Sequence, residues 1–470
     1  MISSAPLVRR LPPAYRPLFA PGPFRRLLPA LAVSDLGDGM SAVAVPWLAL
    51  QLAPPGQAGL FVGAAVAAYV LPGALGALLL GRWLRGLPAR RLIRADAWTR
   101  AVLLGAVPVG WASGVLAPWL LLALLAGSSL LHGWGASARY ALVAEVIPAG
   151  HRLAANALLS TSGWVAMIAG PALAGTLTAV AAPAWVIGLD ALSFAVLAVG
   201  AGRLSAAPAP VPVPDSARDR TEQDAVPRGE GLRVLRARPQ LLALLALTWL
   251  FNLAWGPVEV ALPLFVGQEL AAGPGLLGAY WAAFGVGAVL GALAVGMLRG
   301  GPVRRVLLGI VAAHGVALLS FAPPGPAAVS VAGFAVAGVV YGPYGALSLR
   351  LFQDLTPPPA LTSVLALRSS VLMTASPAGA TLGGPLTAVL GPRAVLVGAG
   401  LVMIAVAGCA AVAPLLSGRL ARGKSAGPTS GAVAGPVPSA DRRESAPGST
   451  GGGLCPPARS GTGATESTAV

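Results

Sequence analysis

Long apolar stretches, separated by short polar loops, run through most of this 470-residue sequence. A helix needs about 20 mostly apolar residues to cross a lipid bilayer. The stretches that approach or exceed this length are residues 28–52, 59–81, 95–115, 117–138, 154–180, 183–203, 241–267, 274–298, 306–322, 326–350, 361–389 and 393–416. This pattern predicts an all-α membrane protein with twelve transmembrane helices.

The composition supports this interpretation and excludes other classes of protein. Charged residues make up 10% of the chain and the mean hydropathy is +0.76, whereas soluble domains carry about 25% charged residues. So few charges could not cover the surface of a soluble enzyme, and so apolar a chain is not disordered throughout. The net charge of +16 would also suit a nucleic-acid-binding protein. However, the arginines lie in short loops between apolar stretches, which is typical of membrane topology, so we expect no nucleic-acid partner.

The arginines are concentrated in alternate loops. They precede the first apolar stretch (Arg9, Arg10, Arg16, Arg25, Arg26) and follow the second (Arg82, Arg85, Arg90, Arg91, Arg94), the sixth (seven arginines from Arg203 to Arg238) and the eighth (Arg299, Arg304, Arg305). The intervening loops hold almost no charge apart from Glu269 and Arg393. Because positive residues stay on the cytoplasmic side, we expect a multi-pass plasma-membrane protein with both termini in the cytoplasm.

Two stretches lack the apolar pattern and divide the chain. Residues 204–239 are rich in Ala, Pro, Asp, Arg and Glu, and residues 417–470 are rich in Gly, Ser, Pro and Arg, as is typical of linkers and tails. The predicted organisation is a cytoplasmic arm (1–27), an N-terminal six-helix bundle (28–203), a cytoplasmic linker (204–239), a C-terminal six-helix bundle (240–416) and a disordered cytoplasmic tail (417–470).

The two predicted bundles repeat each other. The letters LTAV occur at 177–180 and again at 386–389, and at the same offset Gly170 aligns with Gly379 and Gly175 with Gly384. Earlier in the chain Asp35, Gly39, Pro46 and Gln51 align with Asn252, Gly256, Pro263 and Gln268. Two similar bundles around a central site are typical of secondary transporters, in which they rock and expose the site alternately to each side.

Two motifs accompany this plan. The loop after the second stretch carries Gly81, Arg85, Pro88, Arg90 and Arg91; its glycine permits a tight turn, and its arginines can anchor the loop at the membrane face and hold helix ends. Topological retention alone also explains such arginines.

The second motif lies in the fifth stretch, which reads GWVAMIAGPALAG and contains Gly163, Gly170, Pro171 and Gly175. Small residues allow close helix packing, and a proline frees a backbone carbonyl and kinks a helix. Ordinary packing of small residues is the alternative explanation for this motif.

With these motifs the sequence resembles the major facilitator superfamily over about residues 28–416, and within it the bacterial drug:proton antiporters and the macrolide and siderophore exporters. The glycine–proline motif is similar to the antiporter signature of those exporters. The resemblance implies a two-bundle transporter that exports a small organic compound. Arg85 stands where the family usually has Asp, a departure that argues against a charge relay through this position.

Charged residues inside the apolar stretches are costly and are functional candidates by default. Asp35 and Asp38 lie three residues apart in the first stretch, hence on one helix face, and Glu259 lies in the equivalent seventh stretch. We expect these three acids to be candidates for proton coupling, with satisfied structural ion pairs as the alternative. Asp190 and Arg368 also fall inside apolar stretches, and we give them less weight.

Other charges fall near the predicted cytoplasmic helix ends. Arg139, Glu145, Arg350 and Asp354 are candidates for a cytoplasmic gate built from ion pairs. Asp96 and Arg100 have the i,i+4 spacing that allows an ion pair within one helix.

The sequence therefore favours a secondary transporter, not an enzyme, that exports a small amphipathic drug or natural product in exchange for protons. We expect it to act as a monomer in the lipid bilayer. We also expect it to need no cofactor, because the chain has no nucleotide-binding loop and its three histidines show no metal-ligand spacing. Two alternatives remain: a proton-coupled uptake symporter for a nutrient, and a membrane sensor or scaffold that transports nothing.

Overall fold

The computed structural model describes residues 15–20, 22–84, 86–203, 230–294, 302–357 and 360–425. Met1–Gly418 form one unit of packed helices, and Arg419–Val470 form a second unit, whose described part is helical. Most of the predicted arm, linker and tail lie outside the described ranges. Where they are described they are largely helical, since helices begin at Pro23 and Glu230 and the last helix extends to Ser425.

Regular structure in the described ranges is entirely helical. The long helical segments are α1 (Pro23–Leu52), α2 (Ala58–Leu79), α3 (Ala89–Ala112), α4 (Pro118–Val146), α5 (Arg152–Val180), α6 (Pro183–Gly202), α7 (Pro239–Glu269), α8 (Pro274–Ala294), α9 (Val303–Phe321), α10 (Ala327–Leu355), α11 (Leu361–Leu372 and Ala375–Leu390) and α12 (Pro392–Ser425). Short helices cover Arg16–Phe19, Gly81–Leu84, Ala149–His151 and Glu230–Ala237. The prediction of an all-α membrane protein is confirmed.

Ten of these segments are long and apolar enough to cross a membrane. The two others, α3 and α11, coincide with predicted spans, but α3 is less apolar than the other ten segments and α11 is not continuous. Helix α3 carries Asp96 and Arg100 within its length, which lowers its hydropathy. Helix α11 is interrupted between Leu372 and Ala375, so that its parts have only 12 and 16 residues. The expected count of twelve apolar spans is therefore met in part.

Within each half, two helices cross at a pair of glycines, and the two crossings are equivalent. Helix α1 approaches α5 so closely at Gly39 and Gly170 that a Cβ on either glycine would overlap the backbone of the other helix. In the C-terminal half, α7 approaches α11 in the same way at Gly256 and Gly379. These are the glycines that the sequence repeat aligns. Small residues at both crossings let backbones meet without side chains between them, as helices in a membrane commonly do.

The halves contact each other through α5 with α8 and through α2 with α11. Gly175 near the end of α5 lies against Gly275 and Gly278 at the start of α8, and Gly384 near the end of α11 lies against Gly59 and Gly63 at the start of α2. We call the side of the bundle on which α1 begins the arginine-rich face. The other side, on which α1 ends and α2 begins, is called the opposite face. The close contacts between the halves thus lie toward the opposite face.

Candidate functional site

A cavity of ≈ 330 Å³ lies between the two halves, a size within the range of small-molecule sites. Helices α1, α2 and α5 line it from the N-terminal half, and α7, α8 and α10 from the C-terminal half. We call it the central cavity. It contains two of the three predicted coupling acids, Asp38 and Glu259.

Aromatic side chains form the C-terminal wall of the central cavity. Phe251, Trp255, Trp281, Phe284 and Tyr341 line it, and their rings are in mutual contact, with 5.1 Å between the ring centres of Trp255 and Phe284 and 5.7 Å between those of Phe284 and Tyr341. Such a wall offers apolar surface for stacking and π faces that attract cations.

Asp38 lies on the N-terminal wall in a hydrogen-bonded ion pair. Arg100 forms a salt bridge with it at 2.8 Å, and the Tyr69 hydroxyl donates to the Asp38 Oδ1 atom at 3.0 Å. The Asp38 side chain remains 27% exposed toward the cavities, whereas Arg100 is only 1% exposed. The pair with Asp96 that the i,i+4 spacing allows is not among the salt bridges of the described residues. Arg100 extends instead toward α1, where Asp38 supplies the counter-ion that a buried cation requires.

Groups from three further helices surround the Arg100 guanidinium. It donates to the Tyr69 hydroxyl at 2.8 Å and to the His132 Nδ1 atom at 3.1 Å, and it lies 4.3 Å from the ring centre of Phe194. Sequence analysis gave Tyr69, His132 and Phe194 no role. The signal that was available is that Tyr69 and His132 are polar side chains inside apolar stretches.

A second cavity of ≈ 450 Å³ lies within the N-terminal half. We call it the polar cavity because Asp35, His132, Arg139, Tyr140 and Ser160 line it, on α1, α4 and α5. These residues lie closer to the arginine-rich face than Asp38 does. The two cavities meet at Asp38. Asp38, Trp164 and Met167 line both.

The third predicted coupling acid, Asp35, accepts hydrogen bonds from Arg139 and from the Ser162 hydroxyl, the latter at 2.7 Å. Glu259 accepts a hydrogen bond from Ser376 at 3.2 Å, and no salt bridge to it is found among the described residues. The two acids of the central cavity therefore differ: Asp38 is paired with a cation, whereas Glu259 has no salt bridge within the part of the chain that the structure describes.

Asp190 and Arg368, the two charges given less weight in the sequence, lie outside both cavities. Asp190 is fully buried behind α1, where the hydroxyls of Ser41 and Ser193 donate to it. Arg368 lies 5.1 Å from the ring centre of Phe352 and donates to Ser348.

The residues of the α5 motif lie along one helix but contribute to four different places. Gly163 lines the polar cavity, and a Cβ added there would meet no other atom within 4 Å. Gly170 forms the crossing with α1, Pro171 lines the central cavity, and Gly175 forms the contact with α8. The motif therefore connects the cavities to the interface between the halves.

The loop motif lies at the start of α3. Gly81 begins the short helix Gly81–Leu84, Arg85 lies outside the described residues, and Pro88 directly precedes α3, whose first turn holds Arg90 and Arg91. The carboxylate of Glu145 on α4 accepts the backbone N–H of Ala89 at 3.3 Å. An acid at a helix N-terminus satisfies free N–H groups and the helix dipole.

The gate candidates form contacts within one half each. Arg139 binds Asp35, Glu145 binds the start of α3, and Arg350 lies 3.6 Å from Asp354 in an exposed pair one turn apart on α10. In this conformation none of these contacts bridges the two halves. Among the residues that the structure describes, no group of three or more metal-binding side chains comes together.

Comparison with known proteins assigns the chain to a family. Residues 27–357 match the sequence profile of the Major Facilitator Superfamily. The multidrug efflux pump Tap of Mycobacterium tuberculosis is 30% identical over 393 residues, which cover 79% of this chain and 89% of Tap. The uncharacterized MFS-type transporter y4rN of Sinorhizobium fredii is 28% identical over 368 residues, 77% of this chain and 88% of y4rN. Among solved structures, an inward-facing bacterial homologue of the iron transporter ferroportin shares the fold, with a TM-score of 0.60 and 19% identity, over 82% of this chain and 98% of that one.

Proposed function

We propose that this chain, which belongs to the Major Facilitator Superfamily, exports an amphipathic organic compound in exchange for protons. Membership of the family makes it a membrane transporter and not an enzyme. The multidrug efflux pump Tap, a relative of similar length, supports export as the direction. The substrate binds in the central cavity, the lipid bilayer is the surrounding medium, and one copy of the chain contains both walls of the site.

The observation that carries this proposal is a cavity in which an aromatic wall lies beside the carboxylate of Glu259 and opposite that of Asp38. A planar apolar group stacks on Trp255, Trp281 and Phe284. A basic group of the same molecule then lies near Glu259, which has no salt bridge among the described residues. We therefore assign the cationic part of the substrate to Glu259 and the proton to Asp38.

The polar cavity is the proposed route of the proton. It is lined by charged and hydroxyl-bearing side chains, it leads from the arginine-rich side to Asp38, and it meets the central cavity there. Ionisable groups inside a membrane normally face such water-accessible spaces. Asp35, bound to Arg139, lies on this route and is a secondary candidate for coupling.

The arginine-rich face is proposed to be cytoplasmic. The glycine contacts between the halves then close the exterior side, so that this conformation faces inward. In the outward-facing conformation the cytoplasmic ends of the halves come together, and Arg139, Glu145, Arg350 and Asp354 are the proposed gate residues at those ends.

Reporter fusions test this orientation. A reporter that functions only in the cytoplasm is expected to be active when it is fused at Ser216 or Ser445. A reporter that functions only outside the cell is expected to be active at Gly325, between α9 and α10. Exterior activity at Ser216 or Ser445 would contradict the proposed topology.

Truncating Trp164 tests whether the cavities bind the substrate. Its side chain lines both cavities and is 46% exposed, so its removal opens no gap in a closed core. We expect Trp164→Ala to raise the ethidium concentration needed for half-maximal export about fivefold or more, because an aromatic contact contributes roughly 1 kcal/mol beyond its buried area. Export by intact cells at several ethidium concentrations measures this change.

Trp119→Ala is the matched control, because Trp119 lies in the first turn of α4, away from both cavities, and is 71% exposed. It should transport as the unchanged chain does. Equal behaviour of the two variants would remove the support for substrate binding at Trp164.

A further inference from the structure

We propose that Asp96 is the alternate counter-ion of Arg100, and that it receives the guanidinium when Asp38 binds a proton. The inference rests on the proposed role of Asp38 in proton coupling. It makes Asp96 a positioning residue, which acts through Arg100 and does not touch the substrate.

Two buried side-chain atoms on α3 have no hydrogen-bond partner in the described ranges. The Asp96 Oδ1 atom accepts no hydrogen bond, and the Arg100 Nε atom donates none, among the described residues. Asp96 is 2% exposed. The two residues lie one helical turn apart, a spacing at which an acid and an arginine can pair. An unpaired acceptor and an unpaired donor are thus held within one turn of each other in the same buried region.

The neighbouring helix leaves space for the Asp96 carboxylate. Gly135 on α4 lies against it, and a Cβ at that position would overlap with the carboxylate. The carboxylate is therefore accommodated inside the bundle, away from lipid and from both cavities. Burying an acid there without a hydrogen bond on Oδ1 is costly, and the alternate pairing with Arg100 gives a reason for its presence.

The electrostatic argument follows from the burial of Arg100. A proton that binds the Asp38 carboxylate makes it neutral, while Arg100 keeps its charge. Removing one partner of a buried ion pair leaves an uncompensated charge, which strongly opposes the change. A guanidinium that turns toward Asp96 keeps an anionic partner, so Asp38 can be protonated at a pH nearer neutrality.

The surrounding charges leave Asp96 as the available acid. The groups that act electrostatically on Arg100 are Asp38, Tyr69, Asp96 and Asp190, and those that act on Asp96 are Arg100, Arg139 and Asp38. His132 faces Arg100, Asp38 and Arg139. Asp190 already accepts hydrogen bonds from Ser41 and Ser193, and the Arg139 guanidinium is bound to Asp35.

The pH profile of gradient-driven ethidium transport tests the role of Asp96 in coupling. In proteoliposomes containing the full chain, Asp96→Asn is expected to move the midpoint of the profile toward acid by about one pH unit or more, with the maximal rate at acid pH retained. Asp96→Glu should restore the midpoint. An unmoved midpoint, or an equal loss of rate at every pH, would overturn the proposal, because a merely structural residue gives one of these results.

A double-mutant cycle tests the counter-ion independently of transport. We expect the melting temperature in detergent to fall more in the Asp38→Asn, Asp96→Asn double variant than the sum of the two single falls, because only the double variant deprives Arg100 of both acids. Additive falls, or a stronger coupling between Asp38 and Asp190 than between Asp38 and Asp96, would overturn the proposal. If this cycle shows coupling while the unchanged chain moves no protons, the proposed function has failed and the counter-ion pairing has not.

Discussion

Asp38→Asn is expected to abolish proton-driven accumulation of ethidium while leaving ethidium binding intact. Asparagine keeps the size of the side chain and can accept hydrogen bonds from Tyr69 and Arg100, but it cannot exchange a proton. The binding surface of the aromatic wall is unchanged, because its rings belong to the other half. Transport into proteoliposomes under an imposed pH gradient, and fluorescence binding of ethidium to the same protein, measure the two properties separately.

Ethidium counterflow is the internal control for this variant, because exchange of labelled for unlabelled substrate needs no net proton movement. Asp38→Asn should retain counterflow, and Asp38→Glu should recover part of the gradient-driven transport. Full gradient-driven transport by Asp38→Asn would reject Asp38 as the coupling residue. Asp35→Asn and Glu259→Gln would then be the next variants to examine.

Gly170→Leu is expected to reach the membrane but to lose export. A Cβ at Gly170 already overlaps the backbone of Gly39 and Met40, so a leucine must force α1 and α5 apart at the level of the central cavity. Even Gly170→Ala should reduce export about tenfold, since overpacking typically costs about 1–3 kcal/mol. The measurement is ethidium export by energised cells, normalised to the amount of protein in the membrane.

Gly163→Ala is the matched control on the same helix. A Cβ at Gly163 meets no other atom within 4 Å, so export should stay at the level of the unchanged chain. Gly379→Ala, at the equivalent crossing of α7 with α11, should reduce export as Gly170→Ala does. Normal export by both Gly170 variants would show that the close crossing of α1 and α5 is not needed for transport.

Much of the fold could be predicted from the sequence because the helices of a membrane protein are visible as local apolar patterns. Span length follows from bilayer thickness, so the apolar stretches located the long helices. The repeat was also informative: it aligned Gly39 with Gly256 and Gly170 with Gly379, and each half uses its pair for the same helix crossing. Family membership, inferred from the motifs around Gly81 and Gly170, is confirmed.

The site could be predicted only in part, because its contacts join residues far apart in the chain. Asp38 and Glu259 do line one cavity, as charges inside equivalent spans suggested. The partner of Asp38 was missed: Arg100 has a suitable acid four residues away, and local spacing cannot show that its side chain reaches α1 instead. The interruption of α11 near Met373 was missed as well, because the apolar pattern continues across it.

The most direct test of the account measures the directions of ethidium and proton movement together. Proteoliposomes holding the full chain are loaded with a pH-sensitive dye, an ethidium gradient is imposed without a pH gradient, and both signals are followed. The account predicts that protons move opposite to ethidium, and that Asp38→Asn removes the proton signal. Movement of both in the same direction would indicate a symporter, and ethidium movement without protons would contradict coupling. The absence of both signals, with ethidium still bound, would contradict transport itself.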